Sequence, residues 1–537
     1  MQYRHHKSLP CLGRPCAFVL KMTSLRFFSP RFLMRSSLLA LALCMPVAHL
    51  LPAHAQLALP SMGDGADITT SEERRIGDRI IRSLYRDPDY VDDPQLHAYV
   101  MQIWQPLVDA AKQRGELSDE LSERFAWKIL LGRDESINAF ALPGGYLGVH
   151  LGLIAAVSSR DELATVLAHE LTHVTQRHIA RMVGEEKKSM PLLVAGMVLG
   201  ALAASKSPDA ANALIMGGQA AAIQNQLGFS REMEREADRI GFGLLAPAGF
   251  APQGAVSMFE KLQQASRLND NGSWPYLRSH PLTTERIADM QARLPQSSGA
   301  SPRVQPTMEA AMMSARARVL GRPSTDQLRE WTKRPQLPEF SKLAALEQAA
   351  QWYAAALSQS RLGEPQQALG SWKALDALLA QQGDAAARQQ ARWLRMEIEL
   401  AAGPGQAALQ WVAADGDIAQ NSRPELLLSS QALLAAGHAA KASDRLQLWL
   451  VDHPDDASAW QLLAQAWQAQ GRSLRALRAE AESHAVRYDY AAAVDRFKAG
   501  QDVARSGVTQ ADHIDASIID TRLREVQSLL REQAREK

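Results

Sequence analysis

Residues 159–178 read Ser-Arg-Asp-Glu-Leu-Ala-Thr-Val-Leu-Ala-His-Glu-Leu-Thr-His-Val-Thr-Gln-Arg-His. Ser159 with Glu162 three residues on is a helix-start pattern, because the two side chains can satisfy the first free N–H groups. Leu163, Val166, Leu167, Leu171 and Val174 follow at helical spacing and predict one helix running to about Met182. On that helix His169 and His173 stand four residues apart, one turn above the other, so both imidazoles can reach one metal ion. Glu170 projects beside them, where a carboxylate can take a proton from an attacking water. The plain alternative is two histidines on the wet face of a surface helix. Val166, Leu167, Ala168, Leu171 and Val174 oppose it: they bury the helix, and burying such polar groups without a partner is costly.

A catalytic zinc takes three protein ligands and keeps one position open. Ser230-Arg-Glu-Met-Glu-Arg-Glu-Ala-Asp238, on a predicted helix through Glu232–Leu245, offers Glu232, Glu234 and Glu236. Glu236 projects about 200° away from Glu234 and is the weaker candidate. Glu234-Arg-Glu-Ala-Asp238, taken with His169–His173, resembles the gluzincin family of HtpX-like and CAAX-prenyl-protease-type metallopeptidases, whose second motif is Glu-x-x-Ala-Asp on a helix. The resemblance implies Glu234 as third ligand, one Zn2+ per chain, and Asp238 as the carboxylate that orients a ligand histidine.

Ile137-Asn-Ala-Phe-Ala-Leu-Pro-Gly-Gly-Tyr-Leu-Gly-Val-His150 and Thr175-Gln-Arg-His178 look like the periplasmic branch of that family, which joins such a catalytic domain to tetratricopeptide repeats. By this resemblance Tyr146, Leu147, Gly148, Val149 and His150 form an edge strand that pairs with an extended substrate; an internal core strand is the competing reading. In His280-Pro-Leu-Thr-Thr-Glu-Arg286, the resemblance implies that His280 can plug the open metal position. It places Arg286 near the active site, holding Glu234 or a substrate carbonyl.

The expected fold is mainly α: a zincin-type catalytic domain with a small β-sheet, then a helical repeat array. Residues 72–113 read as helical, Phe125–Leu131 as a buried strand and Asn138–Gly145 as a turn. Met190–Ala204 is apolar but too short to span a bilayer unaided, and reads as a mobile loop that touches a membrane or an outer-membrane client, with a core helix as alternative. Residues 56–295 are the expected metallopeptidase domain and 296–341, richer in Pro, Ser and Gln, a linker. In the repeats, 342–505, Gly363, Gly403, Gly437 and Gly471 are each followed five residues later by Ala368, Ala408, Ala442 or Ala476. The spacings of 40, 34 and 34 resemble the tetratricopeptide repeat, and 506–537 reads as a closing amphipathic helix.

Residues 1–55 hold seven Lys/Arg and no Asp or Glu; the remainder has a net charge of −6, which gives no support to nucleic-acid binding. Arg31 and Arg35, the apolar run Leu38–Leu51 and Ala53-His54-Ala55 read as a signal peptide cleaved near Ala55. Cys11, Cys16 and Cys44 all lie in it, so the expected mature chain has no disulfide, thiolate ligand or cysteine nucleophile. The expectation is a periplasmic zinc endopeptidase acting on unfolded or stalled outer-membrane proteins, with a chaperone-like role and repeats that engage clients and the outer-membrane assembly machinery. The alternative is a non-catalytic chaperone or scaffold with a structural metal, for which Glu170 would have no use.

Overall fold

A computed structural model describes residues 68–185, 230–267, 276–294, 306–403, 405–412, 422–505 and 513–535. The expected signal peptide and Met190–Ala204 lie outside them. Thr69 and Glu72 cap each other's backbone at the start of α1 (Thr70–Leu84). The single helical run expected over 72–113 breaks after Leu84, and α2 (Pro94–Gln113) starts afresh. Pro94 keeps Asp93 extended, and its own missing N–H costs nothing at the first helical position. Asp93 then caps α2 through Leu96 N at 2.8 Å. Between the helices lies β1 (Tyr90–Val91), and α3 (Asp119–Arg124) leads to the rest of the sheet.

The remaining strands are β2 (Lys128–Gly132), β3 (Ala139–Leu142) and β4 (Tyr146–His150), in the order β1-β2-β4-β3. β2 and β4 are parallel and the other pairs antiparallel. Tyr146–His150 is therefore not an edge: it is paired on both sides and all five residues are buried. Its outer neighbour lies inside the expected turn, which narrows to Pro143-Gly144-Gly145 with both glycines at positive φ, 77° and 83°. Gly148 is required under the Phe140 ring, since a Cβ there would come within 2.1 Å of it. His150 N donates to Asn138 O on the β4 side, so by alternation the backbone groups of Ala139 and Ala141 face outward.

After α4 (Leu151–Ala156), helix α5 (Arg160–Thr175) buries fourteen of its sixteen residues, so it is a core helix rather than a surface one. Ser159 Oγ accepts from Glu162 N as expected, while the Glu162 carboxylate turns to Ser158 N and Lys261. The helix stops at Thr175 instead of continuing to Met182. Arg177 takes a left-handed backbone (φ 51°), and its guanidinium donates to Glu73 at 2.9 Å and to Ile68 O at 2.7 Å, which fixes the break. Helix α6 (His178–Glu185) starts in a new direction. Helix α7 (Arg231–Leu245) lies against α5 where Gly241 meets Ala168. A Cβ on Gly241 would stand 3.0 Å from Ala168 O, so the small residues set the approach. Helices α8 (Gln253–Arg267), α9 (Tyr276–Ser279) and α10 (Thr284–Ala292) complete this half.

The expected linker is folded over its described part, 306–341. Helix α11 (Met308–Leu320) is buried almost all round and packs on α4, and α12 (Thr325–Lys333) follows it. The prolines of that part fall outside both helices, while Met308, Met312, Met313, Ala315 and Val319 enter one core running from Leu96 to Ile398. Helical hairpins follow: α13 (Ala345–Arg361) with α14 (Pro365–Ala380), α15 (Ala385–Ala402) with the single turn α16 (Gln406–Leu409), α17 (Arg423–Ala435) with α18 (Ala439–Asp452), and α19 (Ala457–Ala469) with α20 (Ser473–Val486). Gly363, Gly437 and Gly471 hold positive φ in their turns; Gly403 is extended, and Gly405 takes the left-handed position instead. α21 (Tyr490–Arg505) and the long α22 (His513–Arg535) close the array around Phe497, Ile519 and Val526. Among the described residues no helix is long and apolar enough to cross a membrane.

A buried cation fastens the array to the catalytic half. Arg316 on α11, 2% exposed, donates to Asp93 at 2.8 Å, Glu397 at 2.6 Å and the Tyr353 hydroxyl at 3.2 Å. Removing one partner of a buried ion group strands the others, at a cost of about 3–5 kcal/mol. Arg316→Met is expected to lose about that much stability, read as a lower urea midpoint. An unchanged midpoint would show that the clasp adds nothing.

Candidate metal centre

Helix periodicity puts His169 and His173 on the same face of α5, with their Nε2 atoms 3.0 Å apart. Helix α7 brings Glu234, whose two oxygens lie 3.5 Å from His169 Nε2 and 3.5 Å from His173 Nε2. His280, just past α9, places Nδ1 2.9 Å from Glu234 Oε1 and 3.2 Å from His169 Nε2. One ligand atom from each of these four buried residues lies within 4.8 Å of every other. Glu170 is fully buried; its Oε2 accepts from Ala141 N on β3 at 2.9 Å. Its Oε1 makes no hydrogen bond and lies 3.4 Å from His280 Nε2.

Each ligand is held from behind. Asp238, one turn after Glu234, lies 3.0 Å from His169 Nδ1. Arg286 on α10 donates to Asp238 at 2.6 and 2.8 Å and to Pro281 O at 2.9 Å, and pairs with Glu234 at 2.8 Å. It therefore holds the acidic ligand and its neighbour. Behind His173 stands His178, Nδ1 to Nδ1 at 2.8 Å, and behind His178 the Glu236 carboxylate at 3.1 Å, itself bound to Arg181. Glu232 is exposed and outside the group. Tyr276 stacks on the His280 ring, centroids 4.6 Å apart.

These donors fit a zinc ion. With Asp238 on Nδ1, His169 turns its Nε2 toward that of His173. Two imidazole nitrogens facing across 3.0 Å, with a carboxylate beside them, hold a cation between: a proton in the metal-free site, a metal ion in its place. Burial would raise the Glu234 pKa, but His280 and His169 hold it well below the usual range; burial and the His169 charge hold His173 well below its own. An ionised carboxylate and a neutral imidazole are the forms that bind metal. Burial would lower His169, yet the Glu234 and Asp238 carboxylates raise it to about 10, so metal binding there displaces a proton. Burial also raises Glu170 above the ordinary carboxylate value.

Residues 94–294 match the model of peptidase family M48. The β-barrel assembly-enhancing protease of Escherichia coli is 30% identical over 495 residues, which covers 91% of this chain and 96% of that protein. The chain belongs to peptidase family M48. The likeness of this metallopeptidase runs through both halves: the β-barrel assembly-enhancing protease of Yersinia pestis is 32% identical over 81% of this chain and 85% of its own. The mitochondrial metalloendopeptidase OMA1 of Saccharomyces cerevisiae, 29% identical, covers 42% of the chain and 64% of its own length.

Of the residues the sequence singled out, His169, Glu170, His173, Glu234, Asp238, His280 and Arg286 converge on this one site. Tyr146–His150 stands inside the sheet, separated from its free side by β3. Ala141, His178, Glu236 and Tyr276 belong to the surroundings without having been assigned a role there. For the metallopeptidase, Glu234→Ala is expected to lose zinc, Glu232→Ala to retain one per chain, and Asp238→Ala to bind roughly 10–100-fold more weakly. Metal analysis of the purified variants checks the order; zinc lost from Glu232→Ala and kept by Glu234→Ala would reverse the ligand assignment.

Proposed function

We propose that this metallopeptidase is a periplasmic zinc endopeptidase that degrades misfolded or stalled outer-membrane proteins, with a helical repeat array that binds clients and the assembly machinery. The observation that carries the catalytic part is Glu170: a fully buried carboxylate between two convergent imidazoles, one oxygen pinned by Ala141 N and the other without a hydrogen bond. Zinc, held by His169, His173 and Glu234, would supply Lewis acidity toward the scissile carbonyl and the attacking water. Glu170 takes the proton from the water, and its raised pKa suits it to pass that proton to the leaving amine. The outward backbone groups of Ala139 and the outward carbonyl of Ala141, whose N–H is taken by Glu170, offer an extended chain a pairing edge beside Glu170. Such pairing reads backbone rather than side chains, which suits unfolded clients. The outer-membrane part rests on relatives named for β-barrel assembly whose likeness covers 91% and 81% of the chain, and the periplasmic location on the leader pattern.

Glu170→Gln keeps size and reach but cannot accept the proton. It is expected to lose casein hydrolysis by roughly 10²–10⁴-fold or more while keeping its zinc. Activity within about threefold of the parent would remove Glu170 from the mechanism. A parent that binds zinc and cleaves nothing would favour a scaffold.

His280 stands where the reaction needs space. Its Nε2 lies 3.4 Å from Glu170 Oε1 and its Nδ1 2.9 Å from Glu234, so it fills the fourth position of the group and blocks the base. His280→Ala is accordingly expected to raise turnover of unfolded substrates and self-cleavage with zinc content unchanged. Equal or lower turnover at full zinc would refute the plug and point to His280 as an aid to the reaction.

A further inference from the structure

His178 follows the second zinc histidine by five residues. On an uninterrupted helix that offset would carry it about 140° around, away from His173. The left-handed backbone at Arg177 ends α5 and starts α6 at His178, which folds its fully buried ring back onto His173, Nδ1 to Nδ1 at 2.8 Å. Glu236 on α7 accepts from the far nitrogen of His178 at 3.1 Å, and Arg181, one turn further on α6, donates to Glu236 at 2.9 Å. We infer that His178 and Glu236 form a positioning relay that fixes the tautomer and orientation of His173 for metal binding, the counterpart of Asp238 behind His169.

Proton accounting gives the relay one direction. An ionised carboxylate accepts only, so the Nε2–H of His178 points to Glu236. A neutral His178 then has its lone pair on Nδ1 and accepts the Nδ1–H of His173. That leaves the lone pair of His173 on Nε2, the atom facing His169 Nε2 and Glu234. Metal-bound histidines ordinarily donate their other N–H to a carboxylate, carbonyl or water. Here an imidazole stands between ligand and carboxylate, and it ties the site to α6 as well as to α7.

The relay rests on the metal-site reading, and zinc affinity tests the two separately. Zinc is titrated into metal-free parent, His178→Ala, His178→Gln and Glu236→Ala against a chromogenic chelator, with the cobalt(II) absorption spectrum and the melting temperature of the metal-free proteins alongside. The expected result is a roughly 10–100-fold weaker affinity and an altered cobalt spectrum for His178→Ala, with a smaller loss for Glu236→Ala. His178→Gln should recover most of the affinity, because its carbonyl can accept from His173 while its amide donates to Glu236. Metal-free melting temperatures should stay near the parent's. Parent-like affinity in both alanine variants would overturn the relay. So would equal losses in His178→Ala and His178→Gln, which would mark His178 as a packing residue. Should His178→Ala not fold, Glu236→Ala decides alone, since its half-buried carboxylate lies at the far end. A parent that takes up no zinc would overturn the metal site itself.

Discussion

Gly241 against Ala168 is the contact on which the site depends. Four imidazoles and three carboxylates are buried here, and in a medium of low polarity a charge on any of them would cost several kcal/mol without a partner. Partners reach them because α7 can approach α5 to near-backbone contact, which no side chain larger than hydrogen at position 241 would permit without a shift. At that distance Glu234 and Asp238, one turn apart on α7, meet His169 and His173, one turn apart on α5. Arg286 then supplies the positive charge that two buried carboxylates need. The pattern of acids and bases is therefore a consequence of helix packing, with small residues at the crossing and long polar ones beyond it.

The same economy of partners joins the two halves of the chain. Asp92 and Asp93 precede α2, which packs on α5, and each is clasped by an arginine from beyond the catalytic half. Arg316 holds Asp93, while Arg423 holds Asp92 at 2.7 and 2.8 Å and Asp456 at 2.9 and 3.0 Å. On the sheet side, the Tyr146 hydroxyl donates to Asp78 at 2.6 Å and meets the Tyr488 hydroxyl at 2.9 Å, so the start of β4 touches the turn before α21. With α11 buried between the halves, the array is continuous with the catalytic core rather than strung from it.

The parts of the site legible in the sequence are those set by position along a helix. His169, Glu170 and His173, and Glu234 with Asp238, are spaced for one face, and helical spacing survives any tertiary context. What sequence misread depends on neighbours. β3 is four residues long and runs straight into Pro143-Gly144-Gly145, so its turn chemistry hides a strand whose register is set by β4. β4 is central because β3 covers it, and no residue of Tyr146–His150 announces that. The linker expected at 296–341 has a polar average, but over its described part, 306–341, the Met and Ala residues gather on α11 and the prolines fall outside the two helices. His178 belonged to a family-like motif, yet its place behind His173 depends on the left-handed Arg177, whose conformation is held by Glu73 and Ile68 more than a hundred residues earlier.

That division also bears on how the site can open without falling apart. Arg286 serves two loads at once: the carboxylates of Glu234 and Asp238, and the carbonyl of Pro281 beside His280. The segment carrying His280 is also fastened by the His280 contacts to Glu234 and His169 and, near β3, by a long bond from Tyr276 N to Ile137 O at 3.4 Å, with the Tyr276 ring stacked on His280 inside the segment. Ile137 is two residues before the outward-facing Ala139, so an extended chain that paired along β3 as proposed would compete with the segment for the same side of the strand. Displacing the segment would break the His280 contacts to Glu234 and His169, the carbonyl bond to Arg286 and the long backbone bond, while the charged hydrogen bonds of Arg286 to Asp238 and its pairing with Glu234 would remain. Those are the stronger interactions, since hydrogen bonds between ionised groups are roughly twice as strong as neutral ones. Withdrawal of His280, on the proposed reading, would thus leave His169, His173 and Glu234 in place, with Glu170 uncovered beside them.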